Sequence, residues 1–147
     1  MPNAMPNMQA DRVVLDTNSL LVSISRRGSA YPVWQGFQEG QYTLCVSTEI
    51  LLEYEEMIAK MTRPEVASNV IELILNQPNV ERIEPTFRLG LIEADPDDNK
   101  FIDCAFAANA TFIVSDDTHL DVLQNLDYPK LVVMKLMAFV DRLLEQK

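Results

Sequence analysis

Apolar residues in this chain recur with two rhythms that take turns. Residues 12–16 (RVVLD), 42–46 (YTLCV), 80–83, 111–115 (TFIVS) and 131–134 are short apolar runs rich in β-branched side chains, the signature of buried strands. Between them the spacing is helical. Asp16-Thr17-Asn18-Ser19 offers cap chemistry before Leu20, Leu21, Val22 and Ile24. Residues 31–38 predict a helix with Pro32 in its first turn and Gly40 just past its end. Ser47 or Thr48 can cap a helix running to Met61, in which Ile50, Tyr54, Met57, Ile58 and Met61 share a face. Pro64 opens another, to Asn76, with Val66, Val70, Ile71, Leu73 and Ile74 as its apolar content. Further helices are predicted over 99–109, 120–123 and 136–144, residues 94–98 form a loop, and 87–92 fit neither rhythm.

Strands that alternate with helices and are apolar throughout predict a parallel sheet covered on both faces. The expected fold is α/β, a three-layer α/β/α sandwich with a central parallel sheet. No internal repeat or second linker interrupts it, so we expect a flexible leader over residues 1–10, with its near-repeat Met-Pro-Asn, and a single domain over 11–147. A domain of this size buries roughly 68–70% of its unfolded-chain surface, enough for a core without staples.

Composition narrows the function. No apolar run approaches the roughly 20 residues of a membrane span, and the N-terminal stretch lacks the basic and apolar regions of a secretion signal. Cys45 and Cys104 sit in apolar surroundings with no metal spacing, which predicts two buried reduced thiols. A cytoplasmic protein is expected. The net charge is −10, the wrong sign for a module that coats nucleic acid by neutralising phosphates. A nuclease that gathers its acidic residues around cations remains compatible. The basic positions Arg26, Arg27, Lys60, Arg63, Lys100, Lys130 and Lys135 are scattered along the sequence.

In an open parallel sheet, ligands collect beyond the carboxyl ends of the strands. Asp16 closes the first strand, and Asp116 and Asp117 follow the TFIVS strand; each taken singly also fits an ordinary helix cap. At about 100° per residue, Asp98 falls on the side of Phe101, Ile102 and Ala105, whereas Asp97 and Asp103 turn toward solvent. Glu53 stands between Ile50 and Met57 at the edge of its helix's apolar stripe, where a solvated helix face is the alternative. If Asp16, Glu53, Asp98 and Asp117 converge, each pair about 4 Å apart repels by about 4 kcal/mol at an effective dielectric of about 20. Protons or cations must then neutralise part of the charge. All-oxygen ligands favour Mg²⁺ or Mn²⁺ over zinc, and such an ion can activate water against a phosphodiester. Asn18 and Ser115 can orient the carboxylates.

With those residues in view, the chain resembles the PIN-domain family, in particular its prokaryotic branch of toxin components from toxin–antitoxin pairs. VVLDTNSLLVS (13–23) is similar to the family's strand-Asp-Thr-Asn opening. VSTEILLEYEEMI (46–58) resembles the segment of the second acidic residue, falling on Glu53. ADPDDNKFIDCAFAANATFIVSDDTHL (94–120) resembles the segment of the third and fourth, falling on Asp98 and Asp117. The resemblance implies an endoribonuclease dependent on Mg²⁺ or Mn²⁺, a homodimer, and a cognate antitoxin that occludes the site. One departure is that the family's Thr-Gly-Asp or Thr-x-Asp reads Ser115-Asp116-Asp117 here, so Asp116 could share the fourth role. Asp103 could likewise be accessory, against the angular argument.

The same residues bear on other families. Haloacid-dehalogenase-type phosphatases need Asp-x-Asp, and here the third position is Asn18, which cannot donate the required proton. Receiver domains need an Asp at a mid-chain strand end, which residues 80–83 do not offer. The stronger competitor is a catalytically weak or inactive module of the same fold that binds RNA or a protein partner. His119, the single histidine, is expected at the surface or as a cap, with a general-acid role as the alternative. Trp34, with Tyr31 and Phe37, is expected in the core or a dimer interface before any base-stacking role.

Overall fold

Five short strands, all parallel, form one sheet in the order β3-β2-β1-β4-β5. They are β1 (Arg12–Leu15), β2 (Thr43–Val46), β3 (Val80–Arg82), β4 (Phe112–Val114) and β5 (Val133–Met134). The structure is a computed structural model that describes residues 10–86, 88–93 and 95–147. The predicted leader, apart from Ala10, lies outside the described residues, as do Phe87 and Ala94. In β1, β2 and β4 successive residues are buried although their side chains point to opposite faces. Both faces are therefore covered, as an all-parallel sheet requires.

Helices supply the cover: α1 (Thr17–Ser23), α2 (Tyr31–Gln38), α3 (Thr48–Met61), α4 (Pro64–Asn76), α5 (Asn99–Ala108) and α6 (Leu136–Glu145). Ser47 caps α3 through its hydroxyl to the Ile50 N–H at 3.2 Å. Asn109, expected as the last helical residue of α5, instead adopts φ +52° as the left-handed cap, a conformation asparagine tolerates. Two other expectations change. Residues 120–123 belong to a longer 3-10 segment, Thr118–Asn125, and the last strand shrinks to two residues. A 3-10 turn, Pro96–Asp98, sits inside the predicted 94–98 loop.

Aromatic rings tie α2 and α6 to the sheet. Tyr42 and Phe112 both meet Phe139 edge-on, with centroids 5.0 and 5.4 Å apart. Trp34 is buried and lies 5.8 Å from Phe37, which places it in the core. Cys45 and Cys104 are free and buried; burial pushes their thiols up to about 11 and about 12, so they stay protonated. Among the described residues no helix is long and apolar enough to cross a membrane.

Strand order positions the site. From β1 the chain runs outward to β2 and β3, then returns to lay β4 on the other side of β1. The carboxyl ends of β1 and β4 flank the point where the winding reverses, where such sheets open a crevice. The Asp16 N–H bonds the Val114 carbonyl at 3.1 Å, carrying the β1–β4 pairing to the edge of that crevice.

Candidate metal centre

Asp16 is both a cap and a member of the site. Its Oδ1 accepts the Ser19 N–H at 2.9 Å, closing the first turn of α1, and its Oδ2 accepts the Ser115 hydroxyl. Ser115, fully buried just beyond β4, in turn accepts the Asp117 backbone N–H at 3.0 Å. One hydroxyl thus ties together the two strand ends that carry Asp16 and Asp117. Asp117 caps the next segment by accepting the His119 N–H at 2.9 Å.

Asp98 arrives from the opposite side, at the junction of the 3-10 turn and α5, where it makes no side-chain cap bond. Together with Asp16, Glu53 and Asp117 it lines a single hollow of about 600 Å³. All four carboxylates selected from the sequence therefore border one space. At its edge a tighter group forms: Asp95, Asp98 and Asp117, which line the hollow, and His119, which does not, each offer a ligand atom, all within 4.8 Å of one another.

The electrostatics follow from that crowding. The Asp98 carboxyl is pushed up to about 7, first by burial, then by proton sharing with Asp117 and by the charges of Asp117, Asp95 and Asp16. Asp117 moves the other way. Burial opposes its ionisation, but the His119 N–H and the Asp98 hydrogen bond outweigh it and hold the carboxyl below its ordinary value. Of the pair, Asp98 is therefore the carboxyl that binds a proton more readily. Among the described residues no donor faces the buried Asp98 Oδ2; the nearest cationic candidate, His119 Nδ1, is 3.9 Å away.

Glu53 is held differently. Its Oε1 accepts from Lys100 Nζ at 2.8 Å and its Oε2 from the Thr17 hydroxyl. The Lys100 side chain is only 6% exposed and also contacts the Asp97 carbonyl at 2.6 Å and carboxylate at 3.0 Å. Burial works against the ammonium, but those partners outweigh it and raise its pKa.

The remaining candidates fall into place around this core. Asn18 lines the hollow and is exposed. Asp116 lines it too, but its Oδ1 accepts the Leu136 N–H at 2.9 Å and so caps α6. Asp97 is exposed, as its helical angle predicts. Asp103 is the correction: expected in solvent or as an accessory ligand, it is 2% exposed and does not line the hollow. Residues 88–93 lie against that side of α5, and Asp103 Oδ1 accepts the Leu89 N–H at 3.0 Å. A segment without helical or strand rhythm covers it, so the helix's own periodicity could not foresee its burial. His119 is exposed as expected, yet its Nδ1 lies 3.5 Å from Asp117 Oδ1.

Three participants have roles the sequence did not reveal, Lys100 having stood there only as one of the scattered basic positions. Asp95 carried a signal, since it opens the acidic run DPDD. Thr17 and Lys100 carried none, because a hydroxyl in a helix's first turn and a lysine on a helix are ordinarily solvated.

The family model described as PIN domain matches residues 12–119. No curated protein matches the chain. Among solved structures the fold is similar to VapBC2 from Rickettsia felis, determined bound to a DNA fragment from its promoter. That match has TM-score 0.56 and 16% identity and covers 84% of this chain and 98% of the other. DNA-bound VapBC from Salmonella typhimurium aligns with TM-score 0.55 and 18% identity, over 85% of this chain and 98% of that one. The PIN domain endonuclease Utp24 aligns with TM-score 0.51 and 13% identity, over 84% of each chain.

Proposed function

The chain belongs to the PIN-domain family, and on that premise we propose that it is a Mg²⁺- or Mn²⁺-dependent endoribonuclease, the toxin component of a toxin–antitoxin pair. The observation that carries the reading is the meeting of Asp98 and Asp117 in a hollow also bordered by Asp16 and Glu53, with a buried Asp98 oxygen that meets no donor among the described residues. Glu53 is paired with Lys100, but the carboxylates crowded around Asp98 and Asp117 need a counter-cation, and oxygen-rich donors suit a hard divalent ion.

Asp98 and Asp117 would hold the ion, with Asp16 and Asp95 adding negative charge beside them. When bound, a divalent ion supplies Lewis acidity toward a phosphodiester and its attacking water. Ser115 keeps Asp16 and the Asp117 backbone in register, so the oxygens stay aimed into the hollow. Lys60, exposed and lining the same hollow, offers positive charge to an RNA backbone crossing its mouth. The cognate antitoxin is inferred by analogy with the VapBC complexes whose fold this chain shares.

The test is cleavage of a panel of structured RNAs with Mn²⁺ present, comparing wild type with Asp98→Asn. Wild-type cleavage that disappears in the variant supports the assignment. Equal cleavage by both means the site is elsewhere. Thermal melting separates the binding-module reading: a midpoint raised by Mn²⁺ without any RNA cleavage would favour it.

A further inference from the structure

The proposed hydrolysis leaves one feature of the site unused, the Lys100–Glu53 pair. Lys100 is a charged side chain more than nine-tenths buried, paired with Glu53 and Asp97, both of which border the acidic hollow. Its ammonium reaches Glu53 at 2.8 Å and the Asp97 carboxylate at 3.0 Å, and it lies 5.3 Å from the Phe101 ring centroid. The other Glu53 oxygen is taken by Thr17. The four carboxylates are therefore divided. Glu53 has its positive partner built into the chain, whereas Asp98 and Asp117 bring their ligand atoms within 4.8 Å of each other with Asp95 and His119 beside them.

We propose that Lys100 is a tethered cation that fills the place a second metal ion would take, so that the centre accepts a single divalent ion, on the Asp98–Asp117 side. The inference rests on the metal-dependent reading above. Two-metal hydrolases hold their ions roughly 3.5–4 Å apart between shared carboxylates. A second ion drawn to Glu53 would have to displace Lys100, and the ammonium, with almost no access to water, would be left with Asp97 as its one acidic partner. Taking one of two partners from a buried charge in that way is unfavourable. The Asp97 carbonyl, at 2.6 Å, helps hold the ammonium where it is. Glu53 then acts as an anchor for Lys100 and α5, and Lys100 is a positioning residue that sets metal stoichiometry.

The full-length protein is titrated with Mn²⁺, counting bound ions by electron paramagnetic resonance and calorimetry. Wild type is expected to bind a single Mn²⁺ per chain. Glu53→Gln should change that affinity by less than about threefold, since Glu53 is not a ligand. Lys100→Met should admit a second, weaker Mn²⁺ at the freed carboxylate, and Glu53→Gln/Lys100→Met should return to one. Two ions in wild type, a loss beyond about tenfold in Glu53→Gln, or a single ion in folded Lys100→Met overturns the proposal while leaving metal dependence intact. No Mn²⁺ binding by wild type overturns both. Should Lys100→Met not fold, the wild-type count and Glu53→Gln decide the matter.

Discussion

The Tyr54 hydroxyl donates to the carbonyl of Leu15 at 2.6 Å, deep in the core. Leu15 ends β1 immediately before Asp16, and Tyr54 follows Glu53 on α3. One hydrogen bond thus fixes the two walls of the hollow relative to each other. Burial pushes the phenol well above its ordinary range, so it remains a donor.

Tyr54→Phe is accordingly expected to cost about 1–3 kcal/mol, the penalty for leaving a buried polar group unpaired. Urea unfolding monitored by circular dichroism measures it. A change indistinguishable from zero would mean that the Leu15 carbonyl finds another partner.

Asp98 makes stability depend on pH in a defined direction. Its folded value of about 7 lies above the ordinary 3.8, so between them the folded chain holds more protons than the unfolded one. Stability conferred by the protonated form is complete below about 4 and lost as pH rises through about 7. Melting in EDTA from about pH 5 to 8 should therefore show a falling midpoint from this group. Asp98→Asn should flatten the slope, and saturating Mn²⁺ should raise the wild-type midpoint most at the alkaline end. A variant with the wild-type slope would remove Asp98 as its source.

Ser115→Ala separates positioning from mere packing. Losing a group that orients ligands typically lowers metal affinity or activity roughly 10–100-fold. We expect a Mn²⁺ affinity loss in that range, because Asp16 and the Asp117 N–H lose their common partner. Unaltered Mn²⁺ affinity in a folded variant would leave Ser115 only a structural role.

Far from the site, Arg142 on α6 grips the buried Asp11 through Nε–Oδ2 at 2.7 Å and Nη2–Oδ1 at 3.0 Å. Arg142→Met leaves that carboxylate unpaired. Hydrogen bonds to charged groups contribute about 1.5–3 kcal/mol, and the exposure of Arg142 argues for the lower end. Chemical denaturation should show the loss while Mn²⁺ affinity stays unchanged. A matching fall in Mn²⁺ affinity would indicate coupling between α6 and the hollow.

Much of this molecule was legible in one dimension. Alternating periodicities announced a parallel α/β sheet because each element's rhythm is a local property of a few turns of chain. Asp16 and Asp117 could be named because strand ends are visible in sequence, and Asp98 because its helical angle follows from a fixed rise and twist. What one dimension could not hold was distance through space. Lys100 turns inward to Glu53, 47 positions away, and Ser115 meets Asp16 across 99. Asp103 is hidden by a segment with no rhythm of its own. Pairing, burial and the proton on Asp98 arise only when the folded chain sets these groups against one another, since desolvation and Coulomb energy depend on neighbours in space.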